Sequence, residues 1–259
     1  MRFDWYGASV EAAPERVLAD LCSRWDLASF RAARPRNGYE RGAQVHRGDR
    51  VLAHLYWENP TSPDPYLVGS GPEAPPVAEY LRGSEFGHRV SRVDVCEDYT
   101  APGAWELLSG ICLKVADRHG VKVRHAGDWH RGVDGRTIYL GGQTSVVQNR
   151  TYEKGRQMRK DPDHVRSETQ INPKGKGKSL AARAAPLELF AASRWSATLA
   201  TELGAPTVER MAFGNVYRPD DVQRSREALV RQYGPTIRNW ADELGGFGQL
   251  ALELEDRTR

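Results

Sequence analysis

Three short segments restrict the fold more than anything else in this chain, because residue character alternates in them with period two. Arg92-Val93-Asp94-Val95-Cys96-Glu97-Asp98 puts its valines on one side and Arg92, Asp94, Cys96 and Asp98 on the other. Arg150-Thr151-Tyr152-Glu153-Lys154 gathers Arg150, Tyr152 and Lys154 on one face. Val165-Arg166-Ser167-Glu168-Thr169-Gln170-Ile171 gathers Arg166, Glu168 and Gln170, with Val165 and Ile171 opposite. Successive side chains of a strand point to opposite faces. As neighbouring strands, these segments would form one surface of carboxylates, cations and a phenol.

The rest of the chain supplies a mixed frame. Residues 14–25 predict a helix with Pro14 in its first turn and Val17, Leu18, Leu21, Cys22 and Trp25 as its apolar stripe. Residues 43–57 read as a hairpin turning at Gly48-Asp49, and 69–76 (GSGPEAPP) as a loop. Residues 103–119 predict an amphipathic helix stopped by Gly120. Short strands are predicted near 121–125, 136–140, 149–154 and 164–171. Helices follow over 187–203, 220–233 and 236–244. This order predicts an α+β fold with a central, mainly antiparallel sheet, packed helices and a helical C-terminal region. The expected divisions are an α+β core over 1–172, a basic flexible linker or loop over 173–185 and a helical region over 186–259 packed on or beside the core.

Composition excludes several classes. Seven Trp, ten Tyr and six Phe in 259 residues can fill a core, which argues against a disordered chain. No stretch approaches the roughly 18 apolar residues of a membrane helix, so no membrane partner is expected. The N-terminus lacks the apolar core of a secretory signal. Three Cys, widely spaced and without a CxxC, fit no disulfide framework or cysteine zinc site and suit a reducing cytoplasm.

The net charge of +3 is uneven. Between Val146 and Arg183 stand ten Lys/Arg against four acids, a balance suited to phosphate neutralisation. Arg92, Arg150, Arg156, Arg166, Lys174, Lys176 and Lys178 are the candidate DNA-contacting cations. Gly177-Lys178-Ser179 is not a nucleotide-binding loop, because Asn172 stands where the required glycine would be and no apolar strand leads in.

The polar face has a definite chemistry. Neighbouring carboxylates repel one another unless a cation intervenes, and oxygen ligands suit Mg²⁺ or Mn²⁺. Such an ion polarises a phosphodiester, arginines hold the phosphate, and a tyrosine hydroxyl can attack phosphorus. Tyr152 is favoured over Tyr139 as the nucleophile, since only Tyr152 is flanked by Arg and Lys. His125 and His130 bracket Gly127-Asp128-Trp129 and are secondary candidates for a metal site.

Four segments in this order carry a resemblance: residues 92–98, Thr137-Ile138-Tyr139-Leu140-Gly141-Gly142-Gln143-Thr144-Ser145, residues 150–155, and Arg166-Ser167-Glu168. They resemble the R-x-D-x-x-x-D, Y-x-G-S-x-x-S, R-x-Y-x-K and R-x-E motifs of the replication initiation factor family. These are the Rep_trans-type rolling-circle initiators of plasmids, phages and integrative elements, related to the HUH nucleases. The likeness covers residues 85–172. Gly142 departs from the usual Ser, and Gln143 from the frequent Arg. Like that family, the chain has no His-x-His.

The resemblance implies a divergent HUH-nuclease, RRM-like core and a nickase that joins DNA through a 5′-phosphotyrosine, leaving a 3′-OH to prime replication. It assigns Tyr152 as nucleophile, Lys154 as its companion, and Asp94, Asp98 and Glu168 as ligands of Mg²⁺ or Mn²⁺. It implies origin DNA as partner, unpaired or in a hairpin at the nick site, together with a homodimer and a host helicase. The alternative is a non-enzymatic DNA-binding regulator derived from such an initiator. A tyrosine recombinase ranks last, because its tyrosine follows a helical His/Arg box near the C-terminus.

Overall fold

In the computed structural model, the described residues are 1–208, 211–214 and 221–258. The chain divides into one unit over residues 1–215 and a second over residues 216–259. The first is built on a ten-stranded sheet in which every pairing is antiparallel. Its strands are β1 (Arg2–Val10), β2 (Ser29–Ala32), β3 (Arg41–Arg47), β4 (Arg50–Trp57), β5 (Tyr66–Ser70), β6 (His88–Tyr99), β7 (Val123–Gly127), β8 (Arg136–Leu140), β9 (Val147–Tyr152) and β10 (Val165–Ile171). They lie in the order β2-β3-β4-β5-β1-β6-β10-β9-β8-β7. The α+β class and antiparallel sheet expected from the sequence are therefore present.

The helices are α1 (Pro14–Arg24), α2 (Ala74–Gly83), α3 (Ala104–His119), α4 (Lys154–Gln157), α5 (Gly177–Arg183), α6 (Pro186–Phe190) and α7 (Arg194–Glu202). Apolar residues of α1–α3 and α5–α7 share one core with a single face of the sheet. Leu21, Val77, Leu108, Ala181, Phe190 and Leu199 pack with Tyr6, Val93, Val95, Ile138 and Ile171. Burying such a side chain contributes about 1.5–3 kcal/mol, so this face is the main source of stability. Helix α3 ends as its sequence dictates: Gly120 adopts φ 60° and its N–H returns to the Ala116 carbonyl.

Some boundaries differ from expectation. Residues 69–76 are not all loop, because a 3-10 turn over Gly71–Glu73 runs into α2, whose first turn tolerates Pro75 and Pro76 lacking N–H donors. Residues 173–185 contain α5 rather than a free linker: Ala181 and Ala182 are buried, and the backbone of Lys174 bonds to Phe213 at 3.0 Å. The helical stretch 187–203 breaks into α6 and α7 at Ser193, which caps α7. The second unit holds α8 (Asp221–Glu243) and α9 (Phe247–Thr258). The helix start expected at residue 220 lies outside the described residues. Within α8 the two predicted helices are one, with Pro235 inside it.

Candidate active site

Register decides which side chains meet. Strand β10 lies between β6 and β9, pairing Arg166 with Asp98 and Tyr152, and Glu168 with Cys96 and Arg150. The three alternating segments are thus consecutive strands. Their polar residues share the face opposite the helix-packed one. On the helix side, Asn149, Thr151, Ser167 and Thr169 form a buried network at 3.0–3.1 Å that fixes the two strands beneath the site.

Arg166 is the centre of the cluster, with its side chain only 4% exposed. It grips Asp98 with two bonds of 2.6 and 2.7 Å and donates to Asp4 at 2.6 Å. Asp98 also receives Arg2 and the His164 ring. Burial works against its charge, yet the bonds from Arg166, Arg2 and His164 hold its carboxyl far below the usual range. Arg166 is itself buried, but its carboxylate partners raise its affinity for the proton still further.

Tyr152 stands beside this centre, 7% exposed. Its hydroxyl donates to Glu168 Oε2 at 3.3 Å, and Arg150 Nη2 holds Glu168 Oε1 at 2.6 Å. The Arg150 guanidinium also lies 5.3 Å from the Tyr152 ring centroid. Burial first, then the Glu168 charge, push the Tyr152 phenol up from its ordinary value. Glu168 is raised by burial, against the pull of Arg150 and with a push from Asp94 and Asp4. Lys154, at the start of α4, is lowered by burial and by Arg166, and feels Asp4 and Asp98. It therefore belongs to the same electrostatic cluster. Burial lifts the Cys96 thiol to about 12, which leaves it unreactive.

The predicted residues separate into two groups. Asp94, Asp98, Glu168, Tyr152, Lys154, Arg92, Arg150 and Arg166 come together. Arg156 instead pairs with Glu153 at 3.1 Å, beside Arg136. Lys174 and Lys176 are exposed in the turn before α5, and Lys178 lies within α5, all following the far end of β10 from Arg166. Tyr139 is half-buried, with Arg124 3.8 Å above its ring. His125 packs on the Trp129 ring at 4.4 Å, and both His125 and His130 are exposed.

The three expected metal ligands share a face without forming a ligand set. Asp94 is held by two bonds from Arg92 at 2.9 and 2.6 Å, Asp98 by Arg166 and Glu168 by Arg150. Among the described residues, no three His, Cys, Asp or Glu side chains are grouped to hold an ion. As arranged, these acids answer to guanidinium groups, and they do not fit Mg²⁺ or Mn²⁺.

Sequence reasoning missed Arg2, Asp4 and His164. The β1–β6 register shifts between Phe3 and Trp5, leaving Asp4 out of the pairing. The only local signal was the aromatic, strand-favouring run Phe3-Asp4-Trp5-Tyr6.

No protein-family model matches the chain, and no curated protein matches it. Among solved structures, the fold is similar to that of a rolling circle replication initiator protein from Geobacillus stearothermophilus. The TM-score is 0.55 at 17% sequence identity, over 81% of this chain and 98% of that one. At that identity the likeness is one of fold. Among the described residues, no helix is long and apolar enough to cross a membrane.

Proposed function

We propose that this protein is a replication initiator that nicks and rejoins DNA through Tyr152. The observation that carries the reading is the pairing of a buried tyrosine hydroxyl with a carboxylate inside a cluster of arginines. The phenol oxygen attacks phosphorus while its proton passes to Glu168. The bond from phosphorus to the 3′ oxygen breaks, the 5′ phosphate stays on Tyr152, and the leaving 3′ oxygen takes a proton from the Lys154 ammonium, whose depressed pKa suits donation. The half-exposed Arg150 neutralises charge gathering on the phosphoryl oxygens, the largest service a preorganised site gives such a reaction, while buried Arg166 holds Asp98 and Asp4 in place beside it. Rejoining is the reverse, with a 3′-OH attacking the phosphotyrosine.

No step is routed through a metal ion. The Mg²⁺ or Mn²⁺ dependence implied by the motifs requires Asp94, Asp98 and Glu168 to leave their arginines, and the metal and EDTA arms of the assay below test it. The proposed substrate is DNA that is unpaired at the nick site. A homodimer and a helicase partner remain proposals drawn from the motifs alone.

The test is a nicking assay on supercoiled and single-stranded DNA from the protein's own genetic element, with Mn²⁺, Mg²⁺ or EDTA. The expected result is a protein–DNA adduct that survives SDS and is absent with Tyr152→Phe. Salt-sensitive DNA binding with no adduct under any condition would replace this reading with the regulator.

A further inference from the structure

A second basic site lies at the other end of β6. His88 and Asp98 are ten residues apart along this strand, which places this end roughly 33 Å from the tyrosine cluster at about 3.3 Å per residue. Here the C-terminal end of α2, helix α5 and the start of β6 enclose a cleft of about 500 Å³, within the range of small-ligand sites. Three arginines line it, Arg82, Arg89 and Arg183, with His88 and the hydroxyls of Ser84 and Ser179. Glu11 is the one acid in the lining.

The arginines differ in how they are satisfied. Arg89 is paired with Asp64 and, at 3.5 Å, with Glu11. Arg82 and Arg183 have no carboxylate partner among the described residues. Arg82 is nonetheless anchored on one side. Its Nη2 donates to the Ala184 carbonyl at 2.7 Å, and its guanidinium lies 5.0 Å from the Phe3 ring centroid and 5.7 Å from that of Tyr6. Its charge is felt nearby: His88, whose ring shares a 3.0 Å hydrogen bond with Tyr6, is pushed down to about 4 by burial and by Arg82. A guanidinium anchored by one backbone bond and two rings, and without a counter-charge, suits an anion. A guanidinium fork matches the oxygens of a phosphate.

We infer that this cleft binds a phosphate group carried by a ligand of about mononucleotide size, with Arg82 and Arg183 as its cationic contacts and Ser179 as a hydroxyl donor. The source is a free nucleotide or a backbone phosphate of bound DNA.

The experiment titrates the full chain with inorganic phosphate and with dAMP by calorimetry. It then asks whether an eight-residue oligo(dT) competes with dAMP. Saturable binding, weakened about tenfold or more by Arg183→Glu and by Arg82→Gln, is the expected result. Both arginines are exposed, but only Arg82 ties α2 to the Ala184 carbonyl, so Arg183→Glu tests the site even where Arg82→Gln fails to fold. Competition by the oligonucleotide identifies a DNA backbone site, and no competition identifies a free nucleotide; both keep the cleft as a phosphate receptor. Absence of binding by both phosphate and dAMP, or affinities unchanged in Arg183→Glu, would overturn it.

Discussion

The Tyr152 hydroxyl donates to one carboxylate oxygen of Glu168 at 3.3 Å while Arg150 holds the other at 2.6 Å. The carboxylate is thereby oriented toward the hydroxyl that would lose its proton in the proposed reaction. Of the three acids read as metal ligands, only Glu168 contacts the tyrosine. Its proposed part is that of a proton acceptor.

Glu168→Gln keeps the shape and the Arg150 contact but removes the acceptor. Nicking should fall about 10²- to 10⁴-fold, the usual worth of positioned proton transfer. DNA binding, measured by electrophoretic shift, should stay near that of the native protein. A native nicking rate in this variant would exclude Glu168 from the chemistry.

Arg166→Met should be strongly destabilising. It strips Asp98 and Asp4 of a partner buried to 4% exposure, and removing one member of a buried ion pair costs about 3–5 kcal/mol. Adding Asp98→Asn should recover part of the loss. Denaturant unfolding of both variants and of Asp98→Asn alone would measure this; costs that simply add would show the two residues to be uncoupled.

Gly155→Ala should disturb both fold and site. A Cβ at Gly155 would lie 1.5 Å from the Asp161 carbonyl oxygen, and that backbone cannot yield as a side-chain tip would. The Gly155 N–H bonds to the His164 carbonyl at 2.9 Å, so the added methyl displaces both Lys154 and His164. The expected cost is about 1–3 kcal/mol, with nicking reduced. Thermal unfolding and the adduct assay would check it.

His88 should make stability depend on acid. Its folded value is near 4, while the unfolded imidazole titrates in the ordinary range. The unfolded state therefore binds the extra proton, and stability present above about 6.5 is lost as pH falls toward 4. Melting temperature should drop more between pH 7 and pH 5 for the native protein than for His88→Gln. Parallel curves would assign the acid loss to other groups.

How much of this was legible follows from the distance over which each feature is determined. Period-two alternation is local, so the polar faces of β6, β9 and β10 could be read from residues 92–98, 150–154 and 165–171. Their adjacency could not, because it depends on pairings such as Arg166 with Asp98, which are 68 residues apart. Gly120 marked a helix end correctly, since a left-handed residue is a local requirement. Pro75 and Pro76 misled, because proline breaks a helix interior yet suits a first turn. Asp4 gave no sign of its role, which arises from a register shift on β1. The carboxylates were read as ligands because sequence shows charge type but not which arginine stands opposite.

Strand β1 lies between β5 and β6, and its Asp4 reaches Arg166 across 162 positions of sequence. The site thus joins the first and the last of the sheet's ten strands in chain order. During synthesis the chain carries Asp4 early but lacks Arg166 and Glu168 until the sheet's tenth strand emerges. Contacts of such sequence separation form late and slowly. A chain still short of β10 therefore lacks the cluster around Arg166, and the proposed site exists only once all ten strands have paired.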